Sequence, residues 1–189
     1  MFQKIPASLG KALGGVRAGV DKLLLNEEGG QAPETIRVES PAFADSAAIP
    51  VRFTADGEGT SPPLSWSNLP EGTKQVLVVV EDPDIPAPQP FIHLIAVFDA
   101  AVTSVGEGGL KEGSSLARLG KHSMGGVGWL PHDPPPGHGP HHYLFQVFAL
   151  NRVIDWGDKP GKDEVKTAIV KSVLAKGVLT GIYERVKPT

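Results

Sequence analysis

Three short segments carry the residues able to do chemistry: Asp82-Pro83-Asp84-Ile85-Pro86, His93, and Gly137-His138-Gly139-Pro140-His141-His142-Tyr143. Asp82 and Asp84 follow directly on an apolar run, and Pro83 and Pro86 stiffen the loop that holds them. The plain role for such aspartates is to satisfy turn amides. A histidine in the next apolar run and another opening a third change the balance. If those ends converge, they form a cup of acid, imidazoles and phenol, fit to hold an anion or to move protons.

Other chemistries fit less well. His138, His141 and His142 with Asp82 or Asp84 could ligate zinc, but the spacing is not that of a helical motif and the prolines disfavour regular ligand geometry. No metal or cofactor is therefore expected. Ser114, Ser115 and Ser123 lie in a Gly-rich stretch, yet none stands in a Gly-x-Ser-x-Gly elbow. No Gly-Lys-Ser/Thr phosphate loop occurs. The chain has no cysteine, which removes thiolate and disulfide chemistry. A net charge of −3 offers no electrostatic reason to bind nucleic acid.

The elements that must position these groups read mostly as strands. Gly and Pro, 23 and 18 residues, make up about twice their usual share and point to tight turns between short strands. Gln75–Val80 is a β-branched run of the kind buried on both faces. Phe91–Phe98, Tyr143–Leu150 and Val178–Tyr183 read as strands, with shorter ones at Thr35–Val38 and Val51–Phe53. Alternation puts His93 on one face with Phe91, Ile95 and Val97. It puts His141 with Tyr143, and His142 opposite. Gly106–Pro140 is mostly loop.

Two helices are expected. Val165, Ile169, Val173 and Leu174 stripe a helix over Asp163–Lys176, closed by Gly177. Phe2, Ile5, Leu9, Leu13, Val16, Val20, Leu23 and Leu24 recur every three or four residues. They predict an N-terminal amphipathic helix within residues 1–30, with Ser8 as N-cap and Gly29-Gly30 as stop. Gly14, Gly15 and Gly19 weaken it, so it needs a surface to lie on. The fold expected is mainly β (α+β), an antiparallel two-sheet sandwich over residues 34–186 with these helices outside. Lys11 and Arg17 interrupt the only N-terminal apolar stretch and no run approaches a membrane span, so a cytoplasmic location is expected.

Gly59-Thr60-Ser61-Pro62-Pro63-Leu64-Ser65-Trp66, Pro70-Glu71-Gly72-Thr73-Lys74, Asp82–Pro86 with His93, Pro134–Tyr143 and the closing Gly181-Ile182-Tyr183-Glu184-Arg185 together resemble phosphatidylethanolamine-binding proteins. The branch they are most similar to is the bacterial Raf-kinase-inhibitor-like one. The resemblance implies a β-sandwich-like domain with a small pocket for phosphate, phosphorylated head groups or carboxylates. It places Asp82, His93, His141 and Tyr143 in that pocket, with a backbone amide near Asp133. Three positions depart from the family pattern: Leu94 where Trp is common, His142 where Arg is common, and Asp133 where Gly is common. A second negative charge at Asp133 is expected to weaken binding of a dianion.

The function expected is non-enzymatic binding of a small anion or phospholipid head group, with modulation of a partner protein as a further possibility. The alternatives are a hydrolase using Asp82, His93 and His141 as acid–base residues, and a kinase or protease inhibitor. A homodimer is expected if the N-terminal stripe finds no place on its own domain.

Overall fold

The computed structural model describes residues 2–27 and 31–185. The strands are β1 (Arg37–Glu39), β2 (Ala47–Ala48), β3 (Leu64–Ser67), β4 (Gln75–Asp82), β5 (Phe91–Asp99), β6 (Ser104–Val105), β7 (Arg118–Leu119), β8 (His141–Leu150) and β9 (Val173–Tyr183). They form a three-stranded sheet in the order β1-β3-β6 and a six-stranded sheet in the order β2-β9-β8-β4-β5-β7. Pairing within the sheets is antiparallel except for β2 with β9, which is parallel.

The large sheet is buried on both faces, as the unbroken run in β4 requires. Val76, Val78 and Val80, with Leu94, Phe98, Phe145 and Val147, face Val38, Leu64 and Trp66 of the small sheet. Leu77 and Val79, with Ile95, Val97 and Phe148, face the other way. That second face is covered by Leu23, Leu24 and Leu25, by Trp156, and by Val165 and Ile169 of helix α2 (Lys162–Ile169).

Three elements differ from expectation. The N-terminal segment is not one helix. It has a 3-10 turn at Phe2–Lys4, a six-residue helix α1 (Ala7–Ala12) after Pro6, and a second 3-10 turn at Val20–Lys22. Gly14 and Gly15 follow α1, and Gly19 sits at φ 98°, outside the helical region. Ser8 is not the N-cap, a place taken by Pro6. Gly29-Gly30 lies outside the described residues.

Of the N-terminal stripe, Leu23 and Leu24 are buried in the second core, whereas Leu9, Val16 and Val20 stay exposed. Next, α2 ends at Ile169 rather than Lys176, because Lys171 turns left-handed at φ 58° and Val173 begins β9. Gly177, read as a helix stop, is a strand residue. A Cβ there would lie 2.1 Å from the Ile36 carbonyl oxygen, so only glycine lets the two backbones approach. Last, Val51–Phe53 is a 3-10 turn, not a strand. Among the described residues no helix is long and apolar enough to cross a membrane.

Candidate functional site

The ends of β4, β5 and β8 meet where the sequence places its chemistry. Asp82 is the last residue of β4, His93 lies near the start of β5, and His141 opens β8. A cavity of about 170 Å³ opens there, with Asp82, His93 and Asp133 among its lining residues. Its other walls are apolar: Phe2, Ala55, Ile85, Phe91, Met124, Leu130 and Pro131. The long loop before β8 supplies Met124, Leu130, Pro131 and Asp133.

His93 does not share a face with Ile95 and Val97. Strand β5 carries a bulge: Val80 pairs with Leu94 and Glu81 with Ile92, leaving His93 as the extra residue. Phe91 stays beside it, with ring centroids 5.7 Å apart, while Ile92, Ile95 and Val97 serve the second core. The bulge turns the imidazole toward Tyr143, 5.2 Å away edge to face. Nδ1 of His93 donates to the Leu130 carbonyl at 2.9 Å, which leaves Nε2 as the free nitrogen. Nε2 is buried and has no hydrogen-bond partner among the described residues. Burial pushes the His93 pKa down and the Asp82 carboxylate only partly offsets this, so the resting ring is neutral.

His141 is brought to the site but its ring is spent. Nδ1 lies 2.7 Å from Asp82 Oδ2, and Nε2 lies 2.8 Å from His138 Nδ1. His138 donates from Nε2 to the carbonyl oxygens of Leu13 at 2.9 Å and Val16 at 3.2 Å. Burial, then the neighbouring His141, push the His138 pKa down, so its ring is neutral, its Nδ1 accepts, and both nitrogens of His141 donate, one to His138 and one to the Asp82 carboxylate. The pair is 0% and 3% exposed. His141 thus sits behind the cavity with no proton left for a ligand.

Tyr143 also lies behind His93. Its hydroxyl is buried and without a partner among the described residues. Burial, then the Asp82 and Asp133 carboxylates, push its pKa well up, so it keeps its proton and remains a donor. Asp84 braces the loop instead of facing the cavity. Its Oδ2 accepts from the His142 backbone N–H and Nδ1, both at 2.7 Å, and its Oδ1 pairs with Arg17 at 2.6 Å. Burial raises the Asp84 pKa, but these bonds outweigh it and hold the carboxyl below its usual range.

Asp133 does line the cavity, yet its charge is compensated. Oδ1 pairs with Arg185 Nη1 at 2.7 Å, and Oδ2 accepts the Phe2 backbone N–H at 2.7 Å. Arg185 is held in turn by Asp56 and by the Pro134 carbonyl. Both cavity carboxylates are therefore matched by a cation behind the wall, and His93 is the lining side chain left to change charge. Arg185, Phe2 and His132 were missed from sequence. Arg185 stood in the closing motif and His132 beside Asp133, but nothing in the pattern tied Phe2 to the site.

His132 has no exposed surface, and its ring centroid lies 3.6 Å from that of Tyr143. Neither ring nitrogen has a hydrogen-bond partner among the described residues, an expensive way to bury imidazole. Burial, then the neighbouring His93 and His141, push its pKa well down. Below about pH 6.5 the unfolded chain takes up a proton that the folded ring refuses, so stability falls as pH drops through that range. His132→Phe is expected to keep the ring packing and remove this loss. Urea midpoints at pH 5 and pH 7 should lie closer together than in the unmodified protein. An equal gap in both proteins would place the acid sensitivity elsewhere.

Comparison with known proteins agrees with this architecture. Residues 39–184 match the sequence profile of the family described as phosphatidylethanolamine-binding protein. The UPF0098 protein PH1269 of Pyrococcus horikoshii is 33% identical over 161 residues, which cover 83% of this chain and 80% of that protein. LppC of Mycobacterium tuberculosis, named as a candidate lipoprotein, is 33% identical over 81% of this chain and 74% of its own length. The crystal structure of Escherichia coli YbcL, described as a member of the mammalian PEBP family, superimposes with a TM-score of 0.74 at 28% identity. It covers 79% of this chain and 98% of YbcL.

Proposed function

Because the chain belongs to the phosphatidylethanolamine-binding protein family, we propose that the cavity binds a small anion and that His93 takes up a proton as the anion enters. The anions meant are phosphate, a phosphorylated head group or a carboxylate. One observation carries the reading: a buried Nε2 with no partner among the described residues, aimed by the Nδ1 bond to Leu130, in a cavity whose carboxylates are already paired. The neutral ring offers only a lone pair there, and protonation converts it into a charge-assisted donor. Pairing of Asp133 with Arg185 lessens the repulsion expected from that residue.

The sign of the pH dependence follows. The His93 pKa is low in the free protein and rises when an anion sits beside it. Affinity then falls with rising pH, by up to about tenfold per unit between the two values. Titration of a phosphate monoester is expected to show tighter binding at pH 6 than at pH 8. A sulfate monoester, which carries no proton in this range, should keep the trend if His93 is the group that titrates. His93→Ala is expected to weaken binding about 10- to 100-fold, the worth of one charge-assisted hydrogen bond. Calorimetry that finds equal affinity at both pH values, or in His93→Ala, would sink the proposal. Hydrolysis is the less favoured reading: among the described residues no hydroxyl or thiol side chain lines the cavity, and both nitrogens of His141 are occupied.

A further inference from the structure

We infer that residues 2–19 form a fixed wall of the cavity and that Phe2 selects its ligand, an anionic group bearing a short apolar substituent. This rests on the anion reading above and narrows it. The segment runs across the two loops that hold the site. Phe2 N–H is bonded to Asp133, and the Phe2 ring meets Phe91 edge-on at 6.1 Å. Gly10 lies so close to the Pro136 carbonyl that a Cβ would fall 2.1 Å from its oxygen, and Gly137 approaches Ala7 in the same way. His138 hooks the carbonyls of Leu13 and Val16, so one chain of hydrogen bonds runs from Asp82 through His141 to this wall. Arg17 pairs with Asp84, and the N–H groups of Ala18 and Gly19 bond to the carbonyls of Ile85 and Pro83. A segment held at so many points is a wall and not a loose flap.

The wall makes the cavity two-ended. His93 and the carboxylates are its polar part, while Phe2, Phe91 and the half-exposed Met124 are apolar. A bare phosphate satisfies the first and leaves the second wet. About 170 Å³ is well below the roughly 300–1,000 Å³ of pockets that enclose drug-sized ligands, so the apolar part of the ligand must be short. An aromatic or short alkyl ester would lay its substituent against the Phe2 ring, and Met124 can adapt to its shape.

The test titrates inorganic phosphate and phenyl phosphate into the full chain at pH 6, unmodified and as Phe2→Ala and Phe2→Leu. Phenyl phosphate should bind the unmodified protein more tightly than phosphate does. Phe2→Ala should lower the phenyl phosphate affinity about tenfold, the scale of a lost aromatic contact. Inorganic phosphate should stay within about twofold, and Phe2→Leu should fall between. An unchanged ratio of the two affinities in Phe2→Ala overturns the selection by Phe2 and leaves the anion reading standing. Equal losses for both probes do the same, because Phe2 would then act only through Asp133. Binding of neither probe by the unmodified protein overturns the anion reading and this inference with it.

Discussion

Asp82→Ala is expected to lower the free energy of unfolding by about 3–5 kcal/mol, because it leaves the fully buried His141 ring without its acidic partner. Asp82 Oδ2 holds His141 Nδ1, and Oδ1 accepts the Asp84 N–H at 2.8 Å, so one side chain both neutralises the ring and shapes the proline loop. Asp82→Asn keeps an oxygen to accept the Asp84 N–H and can donate from its amide nitrogen to Nδ1 of a neutral His141, so it is expected to lose clearly less. Urea unfolding of the two variants at pH 7 gives the comparison. A loss below about 1 kcal/mol for Asp82→Ala, the worth of an exposed pair, would show that the pair is not buried as described. The asparagine variant also reports on function. The Asp82 charge is the largest influence raising the His93 pKa, so without it His93 protonates only at lower pH. The pH profile of phosphate monoester binding should then move in the acid direction.

Lys162→Met is expected to cost a similar amount, about 3–5 kcal/mol, at an ion pair that does not line the cavity. Glu81 is fully buried, and its Oε1 meets Lys162 Nζ at 2.7 Å, with the lysine side chain only 18% exposed. The other carboxylate oxygen accepts the Leu24 N–H at 2.8 Å and Gln146 Nε2 at 2.7 Å, and Gln146 accepts in turn from the Leu25 N–H. One carboxylate therefore joins α2, the central strands and the leucines that lead out of the N-terminal wall. Removing the lysine leaves a buried anion with neutral donors only. Adding Glu81→Gln to Lys162→Met removes that anion while keeping an acceptor, and should restore more than half of the lost stability. A single variant as stable as the parent, by midpoint and slope in urea, would mean that Lys162 contributes no more than a surface charge.

Local pattern made a large part of this molecule readable. The run Gln75–Val80 announces a doubly buried strand because every side chain from Val76 to Val80 is apolar. The alternation in Tyr143–Leu150 puts His141 and Tyr143 on one face, as found. Asp82-Pro83-Asp84-Ile85-Pro86 is a rigid loop in sequence and in structure, since proline restricts the backbone without help from neighbours. Its two aspartates divide the work: Asp82 lines the cavity and pairs with His141, and Asp84 braces the loop. Where strand and helix compete, the reading failed for an equally physical reason. Val173 and Leu174 suit either period, and the left-handed turn at Lys171, followed by pairing of β9 along β8, decides for the strand.

Local spacing marks the long central strands, the proline turns and the stock of acid, imidazole and phenol at the strand ends, because each depends on residues a few positions apart. Which of those groups remains available depends on contacts between segments far apart in the chain. A bulge gives His93 its direction, Asp82 and His138 consume both nitrogens of His141, and Arg185 cancels Asp133 from the far end of the chain. Phe2 reaches the cavity across more than a hundred residues through a bond to Asp133. Charge compensation and hydrogen-bond satisfaction act through space over a few ångströms. They depend on which residues the fold brings together, and no spacing along the chain records that.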